Sequence, residues 1–169
     1  KLIEKLDLFL IYQFDFIIPK QYALTNKFFN FHSGSLKTNR GAHPIIRSIL
    51  NGDKQTELSL HRINEKVDQG LVLGVFKVNI TEDDDTSTIK SKTEKGMPML
   101  LNLLVLFFEG KVEAEFITGG KYYKPINEED YTINLENDSL QDMRNKIRSQ
   151  KEYRGAILNY YNQIFYIKE

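Results

Sequence analysis

The chain has 169 residues, enough for one domain with a sizeable core, and its 23 Lys and Arg balance 23 Asp and Glu. That balance excludes a global field drawing it to nucleic acid or anionic lipid, and the lack of cysteine excludes disulfides, thiolate metal sites and a cysteine nucleophile. The longest apolar run, Met99 to Phe108, is interrupted by Asn102 and too short to span a bilayer, and no secretory pattern precedes the first segment, so a cytoplasmic protein is expected. A first residue that is Lys rather than Met carries the expectation of a fragment or a processed chain.

Lys1 to Lys5 reads as the end of a charged helix feeding a strand, Leu6 to Tyr12, whose near-continuous apolar character predicts burial on both faces. Phe14 to Lys20 reads as a strand end with a turn marked by Pro19, leading into a short helix. Residues 28–32 predict a strand in which Asn30 and His32 share a face, because strand side chains alternate. Two polar groups emerging together from a buried strand need a reason, since Val or Ile there would be more stable. A loop over 33–41 follows, then a helix over 44–50 with Pro44 in its first turn and Asn51-Gly52-Asp53 closing it.

Residues 57–64 and 71–80 read as two strands joined by a turn, Val67-Asp68-Gln69-Gly70, which makes a hairpin or near-hairpin. Asp83, Asp84 and Asp85 are expected to be solvated and favourable to the dipole of the helix they precede, with no metal. One amphipathic helix is expected from Ser87 to Glu109, since Met97, Leu100, Leu101, Leu104, Val105 and Phe108 recur at threes and fours, and Gly110 stops it. Beyond Gly119 a helix over 139–149 capped by Asp138 or Ser139 is followed by a tyrosine-rich strand ending at Ile167. Tyr122, Tyr123, Tyr160 and Tyr161 are core residues or a stacking platform for a base. From Lys121 onward eight basic residues face eight acidic ones, a poor footprint for RNA.

The stretch from Asn30 to Gly70 resembles the folate-dependent formyltransferases, whose signature is Asn-x-His, then Arg-Gly eight and nine residues past that His, then an acid in a Glu-Gly-x-Asp-x-Gly turn. The matches are Asn30, His32, Arg40, Gly41, Glu65, Asp68 and Gly70. Phe14 to Lys20 is similar to the family's Tyr-Gly-x-Ile-Leu-Pro-Lys loop, and Asp130, Ile133, Asn134, Ile147, Arg148, Tyr153, Gly155 and Ala156 match its tail. Glu57 and Lys66 stand where the family has Gly, so a reshaped acid turn is expected if those positions need positive φ. Leu135 stands in the place of the tail's tryptophan. The run Asn39-Arg40-Gly41 with His43-Pro44 is similar to a variant of sugar-directed members.

The resemblance implies an α/β fold, a Rossmann-like sheet whose front half is missing from this chain. Residues 1–118 would form the catalytic core and 119–169 a small α+β extension packed on it. It implies formyl transfer from N10-formyltetrahydrofolate to a primary amine of a nucleotide-linked amino sugar. A fragment of a methionyl-tRNA formyltransferase and a catalytically silent homologue stay open, as does a homodimer. Implied catalytic residues are Asn30 as oxyanion donor, His32 as stabiliser and proton shuttle, and Asp68 orienting His32 or accepting a proton through water. Phe16, Ile17, Ile18, Val67 and Gly70 would line the folate pocket, and Lys37, Arg40 and His61 would flank the substrate. From the residues alone each has a structural alternative: a core histidine, a paired strand-end amide, an ordinary turn acid. Joint spacing across forty residues favours the chemistry.

Overall fold

A computed structural model describes residues 5–14 and 16–169. The helix end expected at Lys1 to Lys5 therefore lies, except for Lys5, outside the described residues. Strand β1 (Phe9–Tyr12) starts three residues later than expected, and is followed by a short helix α1 (Lys20–Ala23) and β2 (Phe28–His32). The chain continues through β3 (Arg40–Gly41), α2 (Pro44–Leu50), β4 (Gln55–Arg62) and β5 (Gly70–Asn79). Two helices follow, α3 (Thr86–Glu94) and α4 (Met97–Phe108), then β6 (Glu115–Ile117) and β7 (Tyr122–Tyr123). The tail holds α5 (Glu128–Tyr131), β8 (Thr132–Ile133), α6 (Leu140–Gln150), β9 (Ala156–Tyr160) and β10 (Gln163–Ile167).

The main sheet has the order β1-β2-β4-β5-β6, with β1 parallel to β2 and the other neighbours antiparallel. Alternation sorts its two faces. Phe29 and Phe31 of β2, Leu58 and Leu60 of β4 and Leu73 of β5 pack with Leu100 and Leu104 of α4. Phe29 adds edge contacts to Phe107 and Phe108. The intervening positions, Asn30, His32, Ser59 and His61, meet across the β2–β4 ladder as Asn30↔His61 and His32↔Ser59. A second small cluster, Ile45, Ile49, Ile80 and Ile89, joins α2 to α3.

Strand β1 is not covered on both faces among the described residues: it is an edge of the sheet there, and Leu6 and Leu10 stay exposed. The single helix over 87–109 is two. Gly96 sits where a Cβ would stand 2.4 Å from Phe76 Cγ, and Pro98 removes the N–H that would continue the ladder from α3. Asp85 caps α3, its side chain accepting from Thr88 N while Thr88 Oγ1 accepts from Asp85 N. Asp84 is not solvated; it is buried against Lys92 and accepts from the Thr81 N–H at 2.7 Å. The single tail strand is a hairpin, β9 with β10, whose turn residues Tyr161 and Asn162 take φ of +46° and +60°, the two positive angles a two-residue loop of this kind requires.

The helix over 44–50 forms as expected, but Asn51 is right-handed and Gly52, at φ +70°, takes the left-handed position. Gly110 closes α4 at φ +69°, and Ser139 caps α6 with Asp142. The tail is tied to the rest by Arg47 of α2, bidentate to the Asp130 carboxylate at 2.5 and 2.9 Å, and by Arg148, which donates to the carbonyls of Thr81 and Asp84 at 2.7 and 2.9 Å.

Candidate active site

Strand β2 brings Asn30 and His32 to one face, β4 supplies His61 beside them, and the loop between β4 and β5 returns Asp68 over the same place. A bulge helps: Leu60 pairs with Gly74 but His61 with Val72, so Leu73 is an extra residue that bends β5 next to His61. The Asn30 amide nitrogen lies 3.3 Å from His61 Nε2. The Asp68 carboxylate stands between the two imidazoles, Oδ2 3.6 Å from His32 Nδ1 and Oδ1 3.7 Å from His61 Nε2. The amide, the imidazole and the acid named from the sequence thus converge, and His61 joins them rather than only flanking them.

The acid loop is built differently from its expected form. Lys66 is not at a positive φ; the left-handed residue is Asp68 itself, at φ +50°, with Gly70 at +123°. An aspartate bears that angle at lower cost than most side chains, and here the Gly41 N–H donates to Oδ2 at 2.7 Å and holds the carboxylate. Gly41, at φ +93°, has to be glycine, because a Cβ would lie 2.1 Å from the Tyr123 carbonyl oxygen.

Arg40 is not a solvated loop charge. It is buried, and its two terminal nitrogens donate to the carbonyls of Val67, at 3.4 Å, and Gly120, at 2.6 Å. It braces the acid loop against the tail. Lys37 is exposed on the same loop, and among the described residues its ammonium has no ion-pair partner.

His61 is almost wholly buried, and that burial pushes its pKa down to about 4, with Asp68 opposing and His32 adding to the shift. It is neutral at pH 7, so Nε2 can accept from the Asn30 amide and turn its nitrogen into the site. Among the described residues His61 Nδ1 finds no well-formed hydrogen-bond partner. His32 is also buried, and its Nε2 lies 2.8 Å from the Asn39 carbonyl oxygen. A carbonyl only accepts, so Nε2 carries the proton and Nδ1 faces Asp68. Asp68 therefore does not orient His32 by a direct hydrogen bond; the Asn39 carbonyl does. Neither His61 as the partner of Asn30 nor Asn39 as the anchor of His32 follows from chain spacing. The signal that could have found His61 is its place opposite Asn30 in an alternating strand.

Phe16 and Ile17 are about three-quarters exposed, at 75% and 77%, Ile18 is half-buried, and Val67 is exposed on the acid loop. Lys20, two residues past Ile18, reaches Glu65 of the acid loop at 2.5 Å, which sets the two segments side by side. Among the described residues no cluster of three or more His, Asp or Glu side chains is arranged to hold a metal ion, and no helix is long and apolar enough to cross a membrane.

Residues 3–104 match the family model described as formyl transferase. A methionyl-tRNA formyltransferase of Pelagibacter ubique is 32% identical over 160 residues, covering 89% of this chain and 50% of its own length. The chain therefore spans about half the length of the curated relatives it matches. Among solved structures, a 4-N formyltransferase from Francisella tularensis superposes with a TM-score of 0.84 at 18% identity, over 99% of this chain and 72% of that one. WlaRD, a sugar 3N-formyl transferase solved in the presence of dTDP and 5-N-formyl-THF, gives 0.72 at 20% identity, over 83% of this chain and 53% of that one. With the Asn-x-His strand, the acid turn and the matched family region in agreement, the chain belongs to the formyl transferase family.

Proposed function

We propose that this chain carries the catalytic residues of an N-formyltransferase that moves a formyl group from N10-formyltetrahydrofolate to a primary amine. The observation that carries the reading is the chain of close polar atoms that joins Asn30 to His61 at 3.3 Å, His61 to Asp68 at 3.7 Å and Asp68 to His32 at 3.6 Å. The residues fit the donor: exposed Phe16, Ile17 and Val67 and half-buried Ile18 offer apolar surface suited to a flat heterocycle, on two segments that the Lys20–Glu65 ion pair sets side by side. When bound, the donor supplies the formyl group.

The chain's own groups do the rest. The Asn30 amide has two N–H bonds, one directed at His61 and one left for the formyl oxygen, where negative charge develops as the amine attacks. The bond that forms joins the acceptor nitrogen to the formyl carbon; the bond that breaks is the donor's own carbon–nitrogen bond. His32 Nδ1 takes the proton that the attacking amine sheds, and the carboxylate of Asp68 at 3.6 Å offsets the imidazolium charge. The same proton returns to the nitrogen that leaves. His61 orients Asn30, Arg40 braces the acid loop, and exposed Lys37 is placed for an anionic part of the acceptor.

We take the acceptor to be a nucleotide-linked amino sugar, with residues 1–118 as the catalytic portion, 119–169 as an extension, and a cytoplasmic setting. The fold likeness to WlaRD, a sugar 3N-formyl transferase, supports that choice of acceptor. A second reading, methionyl-tRNA as acceptor, is supported by the sequence likeness to the Pelagibacter enzyme. Incubating the protein with N10-formyltetrahydrofolate and, separately, a panel of nucleotide-linked 4-amino sugars and methionyl-tRNA tests both. Formylation of an amino sugar is the expected result. Formylation of methionyl-tRNA alone transfers the case to the second reading. No turnover, with calorimetry still detecting a folate analogue, leaves a silent homologue and ends the proposal.

A further inference from the structure

The loop between β2 and β3 closes on itself around one residue that the proposed chemistry does not use. Asn39 is buried, and every polar group it has is held. Its N–H donates to the Ser35 carbonyl at 2.7 Å. Its side-chain amide donates to Ser48 Oγ at 2.7 Å and to Asp53 Oδ2 at 2.9 Å, and its amide oxygen accepts from Asn51 Nδ2 at 3.3 Å. Ser48 in turn donates to Thr56 Oγ1 at 3.3 Å. The anchors of the Asn39 side chain come from α2 and from the turn that closes it. What remains is the Asn39 carbonyl, and it receives His32 Nε2 at 2.8 Å.

A second feature shows that the loop is shaped for this contact. Gly34 lies where a Cβ would stand 3.2 Å from both His32 Nε2 and the Asn39 carbonyl oxygen, and 2.5 Å from Pro44 Cβ. A side chain there would press on the hydrogen bond from outside. A buried, fully satisfied polar network rigidifies whatever it carries. Here it carries the acceptor that decides which ring nitrogen of His32 holds the proton.

We propose that Asn39 is a positioning residue for His32: its network fixes the Nε2–H tautomer and so presents Nδ1, as a free base, to Asp68 and the reacting atoms. For its kinetic consequence this rests on the formyl-transfer reading; the tautomer itself is a property of the resting protein and is tested without substrate.

The experiment is a long-range proton–nitrogen correlation spectrum of the protein labelled with nitrogen-15. In the wild type, the neutral His32 ring is expected to show a protonated Nε2 and an unprotonated Nδ1. In Asn39→Ala the two nitrogens move towards averaged shifts, and kcat falls roughly 10- to 100-fold with the KM for the donor unchanged. Ser48→Ala, which removes one anchor, gives a smaller change of the same sign and serves if Asn39→Ala does not fold. Thr56→Val, at the far end of the network, loses a hydrogen bond of its own and leaves the His32 shifts in place. A wild-type ring protonated on Nδ1, or His32 shifts unchanged in a folded Asn39→Ala or Ser48→Ala, overturns the assignment. Altered ring shifts in a protein that formylates none of the acceptors uphold the role of Asn39 and count against the formyl-transfer reading alone.

Discussion

Replacing Asp68 by asparagine removes one charge while leaving nearly every contact in place. The asparagine oxygen can still accept from the Gly41 N–H, now at 2.7 Å to the carboxylate, and asparagine is as tolerant as aspartate of φ +50°. What disappears is the negative charge 3.6 Å from His32 Nδ1. At that separation, with the effective dielectric suited to protein sites, an ion pair is worth about 4 kcal/mol. In the proposed mechanism His32 takes up the amine's proton as the carbon–nitrogen bond forms, so this loss falls on the transition state. It corresponds to about a thousandfold in rate. Single-turnover formyl transfer measured by rapid quench should therefore slow by that order, while the thermal midpoint moves by no more than about 2 °C, as expected for a near-neutral change. A rate within threefold of wild type would refute the electrostatic role. A collapse of the midpoint would mean that Asp68 is a turn-forming residue and nothing more.

Asn30→Ala removes the donor aimed at the formyl oxygen and should lower kcat about 10²- to 10³-fold, with donor affinity by calorimetry nearly unchanged. His61 makes stability depend on pH. Its folded pKa, near 4, lies below the ordinary 6.5, so the unfolded chain binds more protons between those values. Its contribution is full above pH 6.5 and is lost as pH falls towards 4, by about 3 kcal/mol in all. Urea titrations across that window should show the slope in wild type and a flatter one in His61→Gln. Gly41→Ala forces a Cβ towards the Tyr123 carbonyl at a positive φ and should cost more than about 2 kcal/mol by chemical denaturation.

Much of this fold was legible because strand alternation and helix punctuation are local. Phe28 to His32 and Pro44 to Leu50 fall where the residues place them, since Pro44 and Gly52 mark their own boundaries. The same locality explains the failures. The periodicity of 87–109 runs through the break, which Pro98 makes by lacking the N–H that would continue the ladder, while the packing of Phe76 from β5 on Gly96 is a matter of tertiary structure. Tyr161 and Asn162 carry no glycine to announce a turn, so the tail hairpin reads as one strand. The site was legible as spacing: Asn30, His32 and Asp68 do meet. The roles within it were not. That Asn39 rather than Asp68 holds His32, that His61 stays neutral beside Asn30, and that Arg40 turns inward all depend on which buried polar group finds which partner, a matter of tertiary packing.

In the proposed mechanism an amide, an imidazole and a carboxylate act as one unit on a single carbonyl. Single-turnover rates of His32→Ala, Asp68→Asn and the double variant test it most directly. If Asp68 works only through the charge that His32 acquires, the double variant is no slower than His32→Ala alone. If the two losses multiply, the residues act independently and the unit does not exist.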